Sequence, residues 1–329
     1  MKTFANLAPR DMRQAVAAAQ QVEQQGKAAS FAGGGSDLLA LVKERIVTPD
    51  VIISLRSIAG ADRVTSTKNG VTIGGLITLS ALSQDATVLK QYAVLAQAAE
   101  SVATPQIRNV GTLAGNVCQR PWCWYFRNGF PCFKAGGNQC FSYDGENQFH
   151  AIFGGGPSYI VHPSDTAVAL VALDARFRVM TAGGERTLSP AEFFVLPRQK
   201  ATAENALASE DVVTAIALPP PATGTRSAYR KVLDRAAWTH AVVSAAIVLH
   251  MDKDVCREAR IVLGGVAPIP WRVPEAERLL AGQRITAALA ATVAERALTG
   301  ARPLAKNGYK IPLTKALVRR TVIELATPA

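Results

Sequence analysis

Cysteine is scarce in this chain, five in 329 residues, and no two of them form a C-x-x-C pair. The absence of that short knuckle removes the commonest structural zinc pattern. No apolar run reaches the roughly 20 residues that span a bilayer. The longest candidate, "AWTHAVVSAAIVLHM", is short and carries two histidines, which predicts a buried helix or strand. The opening "MKTFANLAPRDMRQAVAAAQQ" has no unbroken apolar core, because Asp11 and Arg13 interrupt it. It does not read as a secretory signal. The chain is therefore expected to be made in the cytoplasm without an export signal of its own. The spacing of Met12, Val16 and Val22 predicts an amphipathic helix there instead. Neither G-x-G-x-x-G nor a Walker loop occurs, which argues against NAD or ATP held by those folds. His150, His162, His240 and His250 are scattered, no Ser–His–Asp or paired-carboxylate arrangement is evident, and structural roles are expected for each.

What is present reads as globular: 49% hydrophobic and 19% charged residues. The length predicts two or three domains. Net charge is +11, and residues 284–329 carry eight Lys or Arg against two Glu. No helix-turn-helix or zinc-finger spacing accompanies that charge, so nucleic acid is not expected as a partner. Three regions are predicted, 1–57, 58–221 and 222–329, with the prolines Pro219, Pro220 and Pro221 at the last boundary. In the first, "AASFAGGGSDLLALVKERIVTPDVIISL" predicts strand, glycine turn, helix, loop and strand. In the second, "GVTIGGLITLSAL" predicts strand, turn and helix, "YAVLAQAAESVA" a helix, and "DTAVALVALDARFRVMTAGGERTLSPAEFF" helix, strand, glycine hairpin and strand. The third alternates apolar strands ("AVVSAAIVL", "EARIVLGGV") with helices ("PEAERLLAG", "TAALAATVAERAL", "TKALVRRTVIELA").

Two glycine segments carry a candidate binding site. "FAGGGSDLLALVK" sets three glycines between a strand and a helix. Glycines admit close approach of a ligand and expose successive N–H groups, which suits a pyrophosphate. The helix start adds partial positive charge, and Ser36 or Asp37 could cap it. "TPQIRNVGTLAGN" offers Gly111, Gly115, Thr112 and Asn116, short groups able to clasp an extended dinucleotide from a second side. In "VHPSDTAVAL", Ser164 and Asp165 stand at a predicted helix start, and an acid there could accept from a ribose hydroxyl.

Four of the five cysteines crowd into "VCQRPWCWYFRNGFPCFKAGGNQCF": Cys118, Cys123, Cys132 and Cys140, spaced by four, eight and seven residues. Cys256 stands alone and reads as a small buried hydrophobe. Disulfides are disfavoured in a chain of this size without its own export signal. Zinc prefers shorter knuckles. A [4Fe–4S] cluster tolerates wide, irregular spacing and buries negative charge. Residues 104–143 hold no Asp or Glu but do hold Arg108, Arg120, Arg127 and Lys134. They also hold eight of the 21 aromatics, among them Trp122, Trp124, Tyr125 and Phe126, able to exclude water. Gly129, Gly136 and Gly137 permit turns that aim N–H groups at sulfur. A four-thiolate zinc site has the same formal charge, so the residues favour a cluster without removing zinc.

The segments "AGGGSDLL", "QIRNVGTLAGN", "RPWCWYFRNGFPCFKAGGNQC", "HPSDTAVAL", "YRKVLDRAAW", "LGGVAPIPWR" and "KIPLTKALVRR" resemble the FAD-binding subunit of the xanthine dehydrogenase family of molybdenum hydroxylases. Within it, the cysteine segment is similar to that of the FAD- and [4Fe–4S]-carrying subunit of bacterial periplasmic aldehyde oxidoreductases. The resemblance implies an α+β chain: a two-subdomain FAD-binding fold of the vanillyl-alcohol oxidase and MurB type, then a flavoprotein C-terminal domain. The iron–sulfur segment would be an insertion at about 117–159. It implies FAD pyrophosphate at Ala32, Gly33, Gly34, Gly35, Ser36 and Asp37, with Leu38 and Leu39 packing nearby. It implies Thr104, Ile107, Arg108, Asn109, Gly111, Thr112, Gly115 and Asn116 along the ribityl chain and flavin, Asp165 on the sugar, and Lys231 near the flavin ring. Cluster ligands would be Cys123, Cys132 and Cys140. The fourth is open between Cys118 and Ser158, because this chain has "GGGPSYIV" where the resemblance leads one to expect "GGGPC". Implied partners are a large molybdenum-cofactor subunit, a small [2Fe–2S] subunit and an external electron acceptor, in a heterotrimer or a multiple of it. The compartment would be the cytoplasm, or the periplasm by co-export with a twin-arginine-bearing partner.

Overall fold

The computed structural model describes residues 2–236 and 239–327. Ala237 and Trp238, which end the "YRKVLDRAAW" segment and begin the long apolar run, lie outside them. Among the described residues, three sheets organise the chain. The first is parallel, with strand order Ala5–Leu7, Val51–Ser54, Ala29–Ala32. Parallel neighbours need crossovers. The helix Met12–Gln24 supplies one, burying Ala15, Val16, Ala19 and Val22 at helical spacing, with Asp11 as its N-cap. The short helix Leu38–Lys43 lies within the other.

The second sheet is antiparallel, in the order Val64–Thr67, Gly70–Gly74, Val212–Leu218, Arg176–Thr181, Gly184–Leu188. The third is also antiparallel: Trp271–Arg272, Val255–Gly264, Val243–Asp252, Thr225–Val232, with Gln283–Arg284 pairing the second of these. The helices Ala287–Ala297 and Lys310–Ala326 share a core with this sheet, and Cys256 is fully buried there. Helix Asp165–Ala172 is buried on nearly every side. It shares one core with Phe177 and Ile216 of the second sheet and Ala246 and Val262 of the third. That position carries its first residue, Asp165, to the centre of the molecule. Among the described residues no helix is long and apolar enough to cross a membrane.

The last helix is anchored by a buried cation. Lys310 is fully buried, and its Nζ donates to the carbonyls of Phe149, His150 and Gly265 at 2.9, 3.1 and 2.6 Å. Desolvation pulls its ammonium down to about 7. In the unfolded chain a lysine keeps its proton to ~10.4. Above pH 7 the unfolded state therefore binds more protons, and the Lys310 contribution to stability rises with pH through that window. Lys310→Met is expected to remove this slope, at most about 1.4 kcal/mol per pH unit. Urea unfolding of both proteins from about pH 7 to about pH 9 checks it. Parallel pH profiles for the two would contradict the assignment.

Candidate functional site

The strand Ala29–Ala32 delivers the first glycine loop against the second, and the two interlock. A Cβ on Gly34 would stand 1.7 Å from the Val110 carbonyl oxygen, and one on Gly33 2.7 Å from Thr112 Oγ1. Gly35 has φ +75°, a left-handed conformation that suits glycine. Among the described residues, no hydrogen bond within the protein is donated by the loop amides of 33–37. Those N–H groups are free for an anionic ligand. The following helix has six residues only, so the loop amides, rather than a long helix dipole, make the anion site. The second loop is built from two capped turns. Thr104 caps Pro105–Arg108, and Thr112 caps Leu113–Val117 by accepting from Gly115 N–H at 3.2 Å. Asn116 Oδ1 accepts from Ser164 Oγ and Thr166 Oγ1, each at 2.6 Å, and so ties this loop to the central helix.

Between the loops runs a cleft of about 670 Å³. Its wall includes Ala32, Gly33, Gly34, Gly35, Ser36, Asp37, Leu38, Ile107, Gly111, Thr112, Gly115, Asn116 and Asp165, which the sequence singles out. Leu39 is largely exposed beside Gly35 and is not part of the wall. Thr104, Arg108 and Asn109 are not part of the wall; Asn109 is exposed, and Arg108 Nη1 donates to the Val102 carbonyl at 2.8 Å. Lys231 is not part of it either. Its Nζ is 2.7 Å from Asp165 Oδ2 and 3.0 Å from the Ser101 carbonyl, with both charged side chains almost fully buried. Tyr229 donates to the other oxygen of Asp165 at 2.5 Å, and burial raises its hydroxyl pKa well above the usual range. Lys231 thus holds Asp165, and Asp165 meets the cleft. The structure adds wall residues without a glycine signal: Asn205, Leu207 and Ser209 from one loop, and Trp122, Thr239 and His240 from elsewhere.

Capping follows the expectation at Ser164 and departs from it at Asp37. Ser164 caps the central helix, with Asp165 as its first helical residue. Asp37 sits at a cap position but makes no cap bond. Its carboxylate turns to the cysteine segment instead, accepting from Arg127 Nη2 at 2.7 Å and from the Arg120 amide at 3.1 Å. Arg127 stacks 4.4 Å over the Trp122 ring and approaches Glu44 at 3.5 Å. Arg120 and Lys134 both pair with Glu204, at 2.9 and 2.5 Å. Arg120, Arg127 and Lys134, three of the four cations of the acid-free window, are therefore matched by carboxylates from distant parts of the chain. They join the segment to the cleft rather than surround the sulfurs. Trp124 and Trp122 are exposed at 61% and 40%, so Phe126, Phe130 and Phe141 supply the apolar packing.

The structure divides the four clustered cysteines. Cys123 and Cys132 share a small apolar core with Leu41, Phe126 and Phe141. Burial pushes the Cys123 thiol up to about 11; the Phe126 and Tyr125 amides oppose that shift, and the charges of Cys132 and Cys140 add to it. Cys118 instead ends the helix Leu113–Val117. It packs on the core beneath the glycine loop, lines the cleft, and is pushed up to about 12 by burial. The four-residue spacing to Cys123 does not show this, because the helix Leu113–Val117, which ends at Cys118, is what sets it against the core and the cleft. Ser158 is buried. His150 Nε2 lies 3.3 Å from Cys123 Sγ. Among the described residues, no three His, Cys, Asp or Glu side chains are arranged to hold a single metal ion.

Free amides on interlocked glycine loops, short hydrogen-bonding side chains and one fixed buried acid along an extended cleft define a dinucleotide-binding protein. Comparison with known proteins makes this specific. Residues 2–221 match the family described as the FAD binding domain in molybdopterin dehydrogenase, and residues 227–325 match the CO dehydrogenase flavoprotein C-terminal domain. The chain belongs to this family of FAD-binding subunits of molybdenum hydroxylases. It is 35% identical to the aldehyde oxidoreductase FAD-binding subunit of Escherichia coli over 92% of each chain. It is 26% identical to the carbon monoxide dehydrogenase medium chain of Hydrogenophaga pseudoflava, over 96% of this chain and 94% of that one. The solved carbon monoxide dehydrogenase from the same organism superposes with a TM-score of 0.77 over 98% of this chain and 96% of that chain, at 24% identity, which shows the fold. Quinoline 2-oxidoreductase from Pseudomonas putida 86 gives 0.76 over 99% and 98%, at 23% identity.

Proposed function

We propose that this chain is the electron-transfer flavoprotein subunit of a molybdenum-dependent aldehyde oxidoreductase. A large subunit would oxidise the aldehyde, a small subunit with [2Fe–2S] clusters would pass the electrons on, and an external acceptor would take them from this chain. The aldehyde class rests on the likeness to the Escherichia coli subunit across nearly the whole of both chains. The observation that carries the reading is the joint between cleft and cysteine segment. Arg127 and the Arg120 amide grip Asp37 of the glycine loop, so the two candidate redox sites share one rigid wall. FAD, when bound, supplies a carrier that takes electrons singly and releases them in pairs. The free amides of 33–37 would bind its pyrophosphate, and Asp165, immobilised by Lys231 and Tyr229, would accept from its sugar.

The second part of the proposal is a [4Fe–4S] cluster on Cys123, Cys132 and Cys140. The Phe126 and Tyr125 amides near the Cys123 sulfur partly offset the burial that raises its thiol, and the apolar packing around Cys132 limits water. Iron and sulfide quantitation on alanine variants tests it. Cys123→Ala, Cys132→Ala and Cys140→Ala are each expected to lose most of the iron while keeping FAD. Cys118→Ala is expected to keep its iron. A wild-type protein with FAD and no iron would rule the cluster out. Native mass spectrometry of the endogenous complex tests the partners, and finding this chain alone would contradict them.

A further inference from the structure

A second cavity, of about 160 Å³, lies between the cleft and the cysteine segment. It shares Trp122, Pro163, Asp165, Thr239 and His240 with the cleft wall, so the two spaces meet there. Cys123 and His150 line the far side, and Asp234, an exposed carboxylate, lies on its wall. Three polar atoms of its wall residues have no close hydrogen-bond partner in the protein, His150 Nδ1, His162 Nε2 and Ser244 Oγ, although the Val117 carbonyl lies near His162 and the Tyr229 hydroxyl near Ser244. All three residues are more than nine-tenths buried. An orphaned buried polar atom costs about 1–3 kcal/mol, so these three atoms mark places for water along the wall of an otherwise largely apolar chamber. His162 Nδ1 accepts from the Ser164 amide at 3.3 Å, which places the ring proton on Nε2, a donor for water. Ser244 stands beside the Tyr229 hydroxyl, which bonds Asp165. Gly264 makes room for the Ser244 hydroxyl, since a Cβ there would meet Ser244 Oγ at 2.3 Å.

We propose that this chamber is the proton path between solvent and flavin. Asp234 stands at its mouth, His162 and Ser244 hold its water, and His240 and Asp165 mark its junction with the cleft. The proposal rests on the FAD reading above. Full reduction of a bound flavin to its anionic form takes two electrons and one proton. A reduced iron–sulfur centre delivers electrons without protons, so the proton comes from water by its own route and leaves by it on reoxidation.

The test uses the assembled complex, mixed rapidly and anaerobically with dithionite, whose oxidation to sulfite supplies electrons and releases its protons to bulk water. Flavin bleaching is followed in H2O and D2O for wild type, Ser244→Val and Asp234→Asn. Ser244→Val puts methyl groups in place of the hydroxyl. It is expected to slow bleaching roughly tenfold or more and to enlarge the solvent isotope effect at unchanged FAD content. Asp234→Asn, at an exposed position that spares folding, is expected to slow bleaching less and to recover on addition of imidazole. Wild-type rates and isotope effects in FAD-loaded variants would overturn the path; if Ser244→Val does not fold, Asp234→Asn decides. A wild-type complex lacking flavin would instead overturn the FAD reading, and the path with it.

Discussion

Gly34→Ala is expected to leave the purified protein without FAD. The Cβ it adds would stand 1.7 Å from the Val110 carbonyl oxygen and 2.5 Å from its carbon. Both are backbone atoms, so no side chain can swing aside. The two glycine loops must separate, and the free amides of 33–37 would no longer face the second loop. Overpacking of this kind typically costs about 1–3 kcal/mol, and more against rigid backbone. Charged to the bound state, 2.7 kcal/mol is about a hundredfold in affinity. Gly129→Ala is the control. That residue also has a positive φ, +76°, but nothing lies within 4 Å of its added Cβ, so its strain is local. The flavin-to-protein ratio after desalting should fall towards zero in the first variant and stay at the wild-type value in the second. Stoichiometric FAD in Gly34→Ala would contradict the interlocked-loop account.

Breaking the Asp165–Lys231 pair has the second large effect. Both side chains are nearly fully buried, and removing one partner leaves the other charge uncompensated, at about 3–5 kcal/mol. Lys231→Met and Asp165→Leu should each lower the urea midpoint strongly and lose FAD. The double variant removes both charges, so its stability should recover by most of that amount. FAD binding should not recover, because the acid at the cleft is gone and Tyr229 has lost its acceptor. Double variants that bind FAD as well as wild type would show that Asp165 has no part in the site.

Local structure was legible in the sequence where a period or a turn residue sets it. The Met12, Val16, Val22 stripe lies on one helix, "DTAVALVA" forms the central helix, and the hairpin after "RFRVMT" turns at Ala182 and Gly183. The glycine loops were legible as loops, since only glycine supplies the conformation at Gly35 and the clearance at Gly34. Their interlock was not, because it joins residues far apart in the chain. The same limit explains the charges. An acid-free window suggested cations gathered around sulfur, yet Asp37, Glu44 and Glu204 arrive from outside it and claim Arg120, Arg127 and Lys134. Lys231 shows the same thing on a smaller scale: its residue type was a signal, but its partner is 66 residues away. Three of the four histidines looked unrelated in sequence and surround one chamber in the fold.

The central claim is that the interlocked glycine loops, joined to the cysteine segment through Asp37 and Arg127, hold FAD. A structure of the cofactor-loaded complex tests it most directly. The account predicts pyrophosphate density against the amides of 33–37 and sugar density at Asp165. FAD density elsewhere on the chain, with the amides of 33–37 facing only solvent, would contradict it.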